Sequence, residues 1–272
     1  MSSTTQPPLN RIEALNLVGR IFYGLSLAGL GVQQLQYADF RPVIVPAWPA
    51  WLHQPVLGYI SGAALIIVGL LICIGRMAAK AAIILGVALV ILFFGTHFIT
   101  QTFLSPYSFH LGLWTDALKE LALAGGAFII ADSFQPATGS SKTLAALGRF
   151  FFCLLLIVFG IDHFIYTDFV ASLVPAWMPG PVFWTYLGGV ALIGSGVAIL
   201  LNIFRIPVSL LLALMLFLWV LMLHLPRALA ATATDKGNEL TSVFEALAFS
   251  GMALVIAGVQ MRKRKMNGLT NV

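Results

Sequence analysis

The chain of 272 residues has few charges, because Asp, Glu, Lys and Arg together make up 9% of it against 60% hydrophobic residues. Such a composition leaves too little polar surface to cover a water-soluble globule. Apolar runs of about 20 residues recur, which is the length that crosses a ~30 Å hydrocarbon core as a helix. The ~10-residue alternation of polar and apolar residues typical of membrane β-strands is absent from the sequence. The composition therefore predicts a polytopic helical membrane protein.

Cysteine is also scarce, since Cys73 and Cys153 stand alone without the spacing of a metal site or a redox motif. We interpret both as small buried apolar residues. The net charge of +5 comes from Lys and Arg at the ends of predicted helices and from the terminal run RKRK at 262–265. Such a run favours anionic lipid, so membrane lipid and not nucleic acid is the expected partner. The polar N-terminus, MSSTTQPPLN, lacks the features of a cleavable signal, and we expect the first span to act as the insertion signal.

Runs bounded by charge, proline or glycine predict eight spans. They cover residues 14–37, 56–75, 78–99, 114–132, 144–166, 182–202, 206–225 and 240–261. Eleven basic residues fall at the two termini and at the connections on the same side, whereas three fall on the opposite side. The positive-inside rule then predicts a multi-pass protein of the cell inner (cytoplasmic) membrane with both termini in the cytoplasm.

The two halves of the chain repeat one another. Shifted by 129 residues, 19–48 and 148–177 align without a gap and match at 13 of 30 positions, including the motif Val-Pro-Ala-Trp. Because each half holds four spans, both halves have the same orientation. The predicted fold class is all-α, with eight transmembrane helices as a parallel tandem duplication of a four-helix bundle. We define residues 1–135 as the first unit and 144–265 as the second unit, with a linker at 136–143.

Ionisable groups within the spans cluster toward the outer ends of the helices. Such groups are costly in hydrocarbon and usually face the protein interior or an aqueous cavity. We predict an outward-facing ligand-binding pocket in the second unit, lined by His163, Asp168, His224, Arg227, Glu239 and Glu245. A secondary candidate site in the first unit contains Gln34, His97, Asp116 and Glu120. Imidazole with carboxylates can relay protons, hold a quinone carbonyl or, beside Arg227, bind an anion.

Each of these residues also has a purely structural interpretation. Asp168 precedes a turn and fits an Asx-type cap, and Arg227 with Glu239 fits a solvated ion pair beside an outer loop. His163, His224 and Glu245 fit buried polar groups that bond to one another or to the backbone. No catalytic residue is assigned. The histidines lack the spacing of a metal site, which disfavours a metal, and a bis-histidine haem between His97 and His224 is disfavoured further.

Residues 160–179, reading GIDHFIYTDFVASLVPAWMP, together with 183–200 and 218–229, resemble the DoxX/DoxD-like membrane family. Members of that family are typically four-helix units, so the resemblance implies two such units fused in one chain. Some members are membrane subunits of thiosulfate:quinone oxidoreductase, and others belong to oxidoreductase complexes. The resemblance therefore implies an oxidoreductase subunit, with quinone as the candidate cofactor.

These observations leave three functional hypotheses. The first is a subunit that binds a small lipophilic ligand, such as a quinone, and supports a redox or envelope-stress role with a protein partner. The second is a non-catalytic scaffold or chaperone-like subunit, whose polar cluster ties helices together. The third is a small transporter, which the lack of a Pro- or Gly-broken pair of spans at mid-membrane disfavours. Stripes of small residues at 58, 62 and 69 and at 188, 189 and 196 fit helix packing, either between the units or in a homo-oligomer.

Overall fold

The computed structural model describes residues 10–46, 55–134 and 140–269, and regular structure in these residues is helical. The first unit contains α1 (Arg11–Tyr37), α2 (Pro55–Ile74), α3 (Ala78–Phe93) and α4 (Thr115–Phe134). The second unit contains α5 (Ser140–Ile165), α6 (Thr167–Leu173), α7 (Pro181–Leu200), α8 (Arg205–Trp219), α9 (Leu225–Ala230) and α10 (Asn238–Leu269). The predicted all-helical class is confirmed, and every predicted span has a helix that starts within four residues of the expected position.

Seven helical segments in the described residues are long and apolar enough to cross a membrane, as expected of a multi-pass membrane protein. They are Arg11–Tyr37, Pro55–Ile74, Ala78–Leu104, Lys142–Ile165, Pro181–Leu200, Arg205–Ala230 and Asn238–Gly268. The predicted span at 114–132 forms α4, which is not among the seven because it carries Asp116, Lys119, Glu120 and Asp132. Sixteen of its 20 residues are buried, among them Glu120 and Asp132, whereas Lys119 is partly buried and Asp116 is half-exposed.

The eight long helices form a closed ring in which each contacts the next, in the order α1, α2, α3, α4, α5, α7, α8, α10 and back to α1. α1 packs against α2 and α10, α4 against α3 and α5, α5 against α7, and α8 against α10. α4 and α10 also contact each other across the middle of the ring. In the most apolar part of α10, 78% of the residues are buried, against 28–44% in the other six candidate spans. α4 and α10 therefore form the interior, and the remaining helices have outer faces rich in exposed apolar side chains.

Three π-helical turns in the described residues continue the long helices α3 and α8. After α3 they cover Phe94–Phe98, which contains His97, and Thr100–Leu104; after α8 one covers Val220–His224 and ends on His224. A π turn widens the backbone, leaves regular hydrogen bonds unmade and is frequent at functional sites. Both histidines that the sequence analysis selected in these helices therefore lie where the helix geometry changes.

Some predictions fall outside the described residues. Residues 135–139, which include half of the predicted linker, are among them, and so are Trp48 of the first Pro-Ala-Trp motif and the N-terminal residues 1–9. The second Pro-Ala-Trp motif follows α6, with Trp177 67% exposed. α10 continues eight residues beyond the predicted end at 261, because the basic run that follows consists of good helix formers.

Candidate functional site

An ion pair joins the two central helices near the end of the bundle opposite the chain termini, which we call the distal end. The Nζ atom of Lys119 in α4 lies 2.9 Å from Oε2 of Glu245 in α10 and 3.3 Å from Oδ1 of Asp116. The side chains of Lys119 and Glu245 are 16% and 5% exposed, whereas that of Asp116 is 44% exposed. The Lys119 ammonium is thus shared between a buried carboxylate and a half-exposed one.

Lys119 is the residue that the sequence analysis missed. It is the one lysine within the predicted span at 114–132. The available signal was a cation in an otherwise apolar span, which requires an acidic partner on a neighbouring helix. Because helix neighbours were unknown, the sequence did not show that this partner is Glu245.

Three further residues of the predicted pocket surround this ion pair. His224 is partly buried at the end of α8, within electrostatic range of Lys119, Arg227 and Glu239. The guanidinium of Arg227 donates from Nε to Oε2 of Glu239 at 2.9 Å and from its second nitrogen to Oε1. The side chains of Arg227 and Glu239 are 35% and 24% exposed, so this ion pair is neither deeply buried nor fully solvated. The structure thus brings together His224, Arg227, Glu239 and Glu245.

His163 lies on the neighbouring α5 and faces α8. Its ring stacks on Trp219 with centroids 6.1 Å apart and an interplanar angle of 20°. Its Nδ1 is 2.6 Å from the backbone oxygen of Phe159, so with a proton on Nδ1 it donates to that carbonyl. The preceding residue, Asp162, is buried, and its Oδ1 has no hydrogen-bond partner among the described residues.

Asp168 does not join this group. It lies exposed in the first turn of α6, where a carboxylate interacts favourably with the helix N-terminus. The N-cap of α6 is Tyr166, and no side-chain hydrogen bond caps this helix. Asp168 is therefore placed as an acidic residue of a surface helix.

The secondary candidate site has a different character, because it is closed. His97 and Glu120 are 1% and 0% exposed, with Nε2 and Oε2 3.8 Å apart. In the described part of the chain, neither imidazole nitrogen and neither carboxylate oxygen of this pair has a hydrogen-bond partner. Gln34, 0% exposed, also lacks partners there for both polar atoms of its side chain. Asp116 points to Lys119 instead, and so links the two predicted sites.

Segment 41–45, which follows α1, fills the distal end of the first unit. Val43, Ile44 and Val45 are 1%, 1% and 3% exposed. Arg41 anchors the segment on the start of α10: it donates to Oγ1 of Thr241 at 3.0 Å. Its other nitrogens donate to Oδ1 of Asn238 at 2.7 Å and to the backbone oxygen of Lys236 at 3.0 Å. Burial lowers the pKa of Arg41, nearby acidic groups oppose that shift, and the guanidinium remains charged.

The equivalent segment of the second unit, at 170–174, does not fill its distal end. It includes the end of α6, a helix in which no residue is buried and which packs on α7 at the surface. Ser172, Leu173 and Val174 take the places of Val43, Ile44 and Val45 at the offset of 129 residues. The second unit therefore lacks, at this position, the three buried apolar side chains that the first unit has.

The assembled groups can donate, accept and exchange protons. Ammonium, guanidinium and imidazole donors lie beside two carboxylates at the distal end of the second unit. Within the described residues, no group of three or more His, Cys, Asp or Glu side chains is arranged to hold a metal ion. The chemistry that these residues support is hydrogen bonding and proton exchange with a polar group.

Comparison with known proteins gives one match. Residues 152–260, which extend from within α5 to within α10, match a family model described as a domain of unknown function (DUF8561). No curated protein and no solved structure matches the chain. The resemblance to DoxX/DoxD-like proteins is not tested by these comparisons and stays a prediction. Over 109 of its 272 residues, the chain is thus similar to a family whose description assigns no activity.

Proposed function

We propose that this membrane protein consists of two fused four-helix DoxX-like units and binds a small lipophilic molecule with a polar head, such as a quinone. The ligand site is the distal end of the second unit. In this proposal the chain crosses the cell inner membrane eight times, has both termini in the cytoplasm and supports a redox or envelope-stress role with a partner subunit. Four steps carry the proposal.

The duplication is supported by equivalent close contacts between helices. Gly19 in α1 lies so close to α10 that an added Cβ would be 2.5 Å from the backbone oxygen of Gly251. Gly125 in α4 has the same relation to Gly148 in α5. Gly148 is the counterpart of Gly19 at the offset of 129, and Gly251 is that of Gly125 at the offset of 126. In both contacts, the first helix of one unit meets the fourth helix of the other.

An eighth span at α4 follows from its place in the ring. α4 contacts α3, α5 and α10, and its 20 residues rise about 30 Å, the thickness of the hydrocarbon core. Two of its charges within the bundle meet protein, because Lys119 pairs with Glu245 and Glu120 is completely buried, and the half-exposed Asp116 lies in the first turn of α4. A central helix can therefore be less apolar than its neighbours and still span the membrane.

The ligand site rests on one observation, which is the difference between the two distal ends. The segment that fills the first unit with three buried side chains has a counterpart in the second whose residues Ser172, Leu173 and Val174 are exposed or partly buried. His163 and His224 consequently remain partly accessible, whereas His97 is sealed. An unfilled polar end in one of two otherwise similar units is the place where a ligand can enter.

The residues at this end match a ligand with a polar head and an apolar body. Lys119 and His224 offer donors to a carbonyl oxygen, and the stacked pair of His163 and Trp219 offers a flat surface to a ring. The outer faces of α5 and α7 present apolar side chains that include the stacked rings of Phe164 and Tyr186. An apolar tail can lie along these faces, in contact with lipid.

The test is to purify the full chain in mild detergent, extract it with organic solvent and identify the small molecules by mass spectrometry. We expect one lipophilic molecule in stoichiometric amount. His224→Leu should reduce the retained amount several-fold, whereas His97→Leu in the sealed unit should leave it unchanged. Recovery of bulk lipid alone, or equal losses in both variants, would contradict the proposal. An optical spectrum of the same sample tests for haem.

A second candidate function, a non-catalytic scaffold, is favoured by the bonds between the two units. Arg41 of the first unit holds three groups at the start of α10, and Nε2 of Gln33 donates to the backbone oxygen of Gly237 at 2.8 Å. A scaffold requires this kind of rigid connection. In that case Glu245→Gln should lower the stability of the protein and change no small-molecule content.

A further inference from the structure

Arginines cap the end of α4 at the proximal end of the bundle, which is the end that carries the chain termini. The last carbonyls of a helix have no partner within it, and α4 ends at Phe134. Arg20 stacks on the ring of Phe134 at 3.8 Å and donates from Nε to Oγ of Ser133 at 2.8 Å. Arg262 donates to the backbone oxygens of Asp132 and Ser133 at 2.7 and 2.8 Å. Both guanidinium groups thus bind the end of α4, although the buried Nε of Arg262 has no hydrogen-bond partner among the described residues.

The equivalent arginine of the second unit has no such partner. Arg149 corresponds to Arg20 at the offset of 129, and Val259 and Gln260 of α10 correspond to Ser133 and Phe134 at the offset of 126. α10 does not end there but continues to Leu269, so the carbonyls at this point are used within the helix. Among the described residues, no hydrogen bond or ion pair of Arg149 is found. Its five donors remain available in a partly buried position.

A small cavity lies beside Arg149, at the place equivalent to the capped end of α4. Its polar lining comes from Arg149, Arg205, Lys263, Asp132 and Gln260, and its walls from apolar side chains of α4 and α10. Arg205 donates to the backbone oxygen of Ile199 at 2.9 Å and to Oε1 of Gln260 at 3.2 Å. Nζ of Lys263 lies 3.4 Å from Oδ2 of Asp132.

The charges around the cavity do not balance. Arg149, Arg205 and Lys263 contribute three positive charges against the single negative charge of Asp132. Arg149 and Arg205 also lie within electrostatic range of each other. Like charges beside apolar walls are unfavourable unless an anion compensates them. Two guanidinium forks and an ammonium are the groups that proteins use to hold phosphate.

We propose that this proximal cavity binds a phosphate group, supplied either by an anionic phospholipid or by a free phosphate compound. The cavity measures about 10 Å³, which is enough for one oxygen atom, so the rest of the anion lies at its opening between the long side chains. Leu147 and Phe150, on either side of Arg149 in α5, are 38% and 48% exposed. Arg149 therefore lies beside a surface where lipid can approach.

The experiment measures binding to the purified full chain in detergent by native mass spectrometry and by the shift in thermal unfolding. The probes are phosphatidylglycerol, phosphatidylcholine and inorganic phosphate. Arg149→Gln should weaken binding of the anionic probe about tenfold or more, because a charge-assisted fork is lost. Arg264→Gln is the matched control, since Arg264 is exposed and outside the cavity.

A second pair of variants tests the same cavity in case Arg149→Gln does not fold. Lys263→Gln removes a cavity charge from a side chain that is 39% exposed, and Lys265→Gln is the same change two residues away at an exposed position. Only Lys263→Gln should weaken binding. Preference for phosphatidylglycerol over phosphatidylcholine, with no effect of inorganic phosphate, identifies the lipid as the source. Protection by inorganic phosphate that Lys263→Gln abolishes identifies a free phosphate compound.

Two outcomes would overturn the assignment. One is equal binding of phosphatidylglycerol and phosphatidylcholine, together with no effect of inorganic phosphate. The other is an equal loss in Lys263→Gln and Lys265→Gln, because binding would then depend on the total charge of the terminal helix and not on the cavity.

Discussion

Replacing Lys119 by methionine removes the cation that pairs with Glu245 and keeps most of the side-chain volume. Glu245 is 5% exposed, so the variant leaves a buried carboxylate without its partner. Breaking a buried ion pair in this way costs about 3–5 kcal/mol of unfolding free energy. Glu245→Leu should cost less, about 1–3 kcal/mol, because Lys119 keeps Asp116 at 3.3 Å. The structure therefore predicts an unequal pair of effects with Lys119 as the larger.

The double variant Lys119→Met/Glu245→Leu should recover much of this loss, since two apolar side chains can replace a buried ion pair. The measurement is reversible unfolding in mixed micelles of a mild detergent and sodium dodecyl sulfate. We expect a coupling free energy of at least about 2 kcal/mol from the double-mutant cycle. Lys142→Met, at an exposed position of α5, is the control and should stay within about 0.5 kcal/mol. Additive effects, or equal losses in the two single variants, would refute the shared-lysine arrangement.

Three further predictions concern the anchored segment, the helix contacts and the orientation. Arg41→Gln removes three hydrogen bonds to the start of α10. Amide hydrogen exchange in 41–45 should therefore accelerate at least about tenfold, whereas exchange in α7 should not change. Unchanged exchange in 41–45 would show that Arg41 is not the anchor. Gly19→Ala should lower the free energy of unfolding by about 1–3 kcal/mol, because its Cβ would meet the backbone of α10. Gly194→Ala, whose Cβ would have nothing within 4 Å, should leave the protein equally stable or make it more stable. Similar losses of stability in the two variants would contradict the packing. In a cysteine-free background, Phe109→Cys should react with a membrane-impermeant maleimide on intact cells, because Phe109 is exposed on the side proposed to face outward. Arg264→Cys should react only after the cells are lysed. The reverse pattern would show that the proposed orientation is inverted.

Much of the fold was predictable because it depends on local properties of the chain. A run of about 20 apolar residues has few alternatives to a helix in lipid, since every backbone group must bond within the segment. The predicted starts of the helices are accordingly close to the observed ones. The region around the candidate site was also predictable in part, because the rise of 1.5 Å per residue places His224, late in its helix, and Glu245, early in α10, at the same end of the bundle.

Local properties of the chain predict neither the partner of Lys119 nor the burial of 41–45. The sequence shows a lysine in the fourth predicted span, but its choice of Glu245 over other acids depends on α4 and α10 being neighbours. The sequence of 41–45 and that of 170–174 occupy equivalent places in the repeat. Of these two segments, 41–45 carries the arginine that donates to the start of α10. The effect of this arginine depends on the position of α10, which belongs to the second unit.

Sequence alone therefore determined the helical class, the approximate ends of the helices and the level of each polar residue along the bundle. The tertiary structure decided which helices form the centre, which polar groups pair across the units and which distal end is filled. The physical reason is that hydropathy and helical rise act along one segment, whereas burial and ion pairing depend on residues more than a hundred positions apart. Lys119 and Glu245, 2.9 Å apart in space, are one such pair.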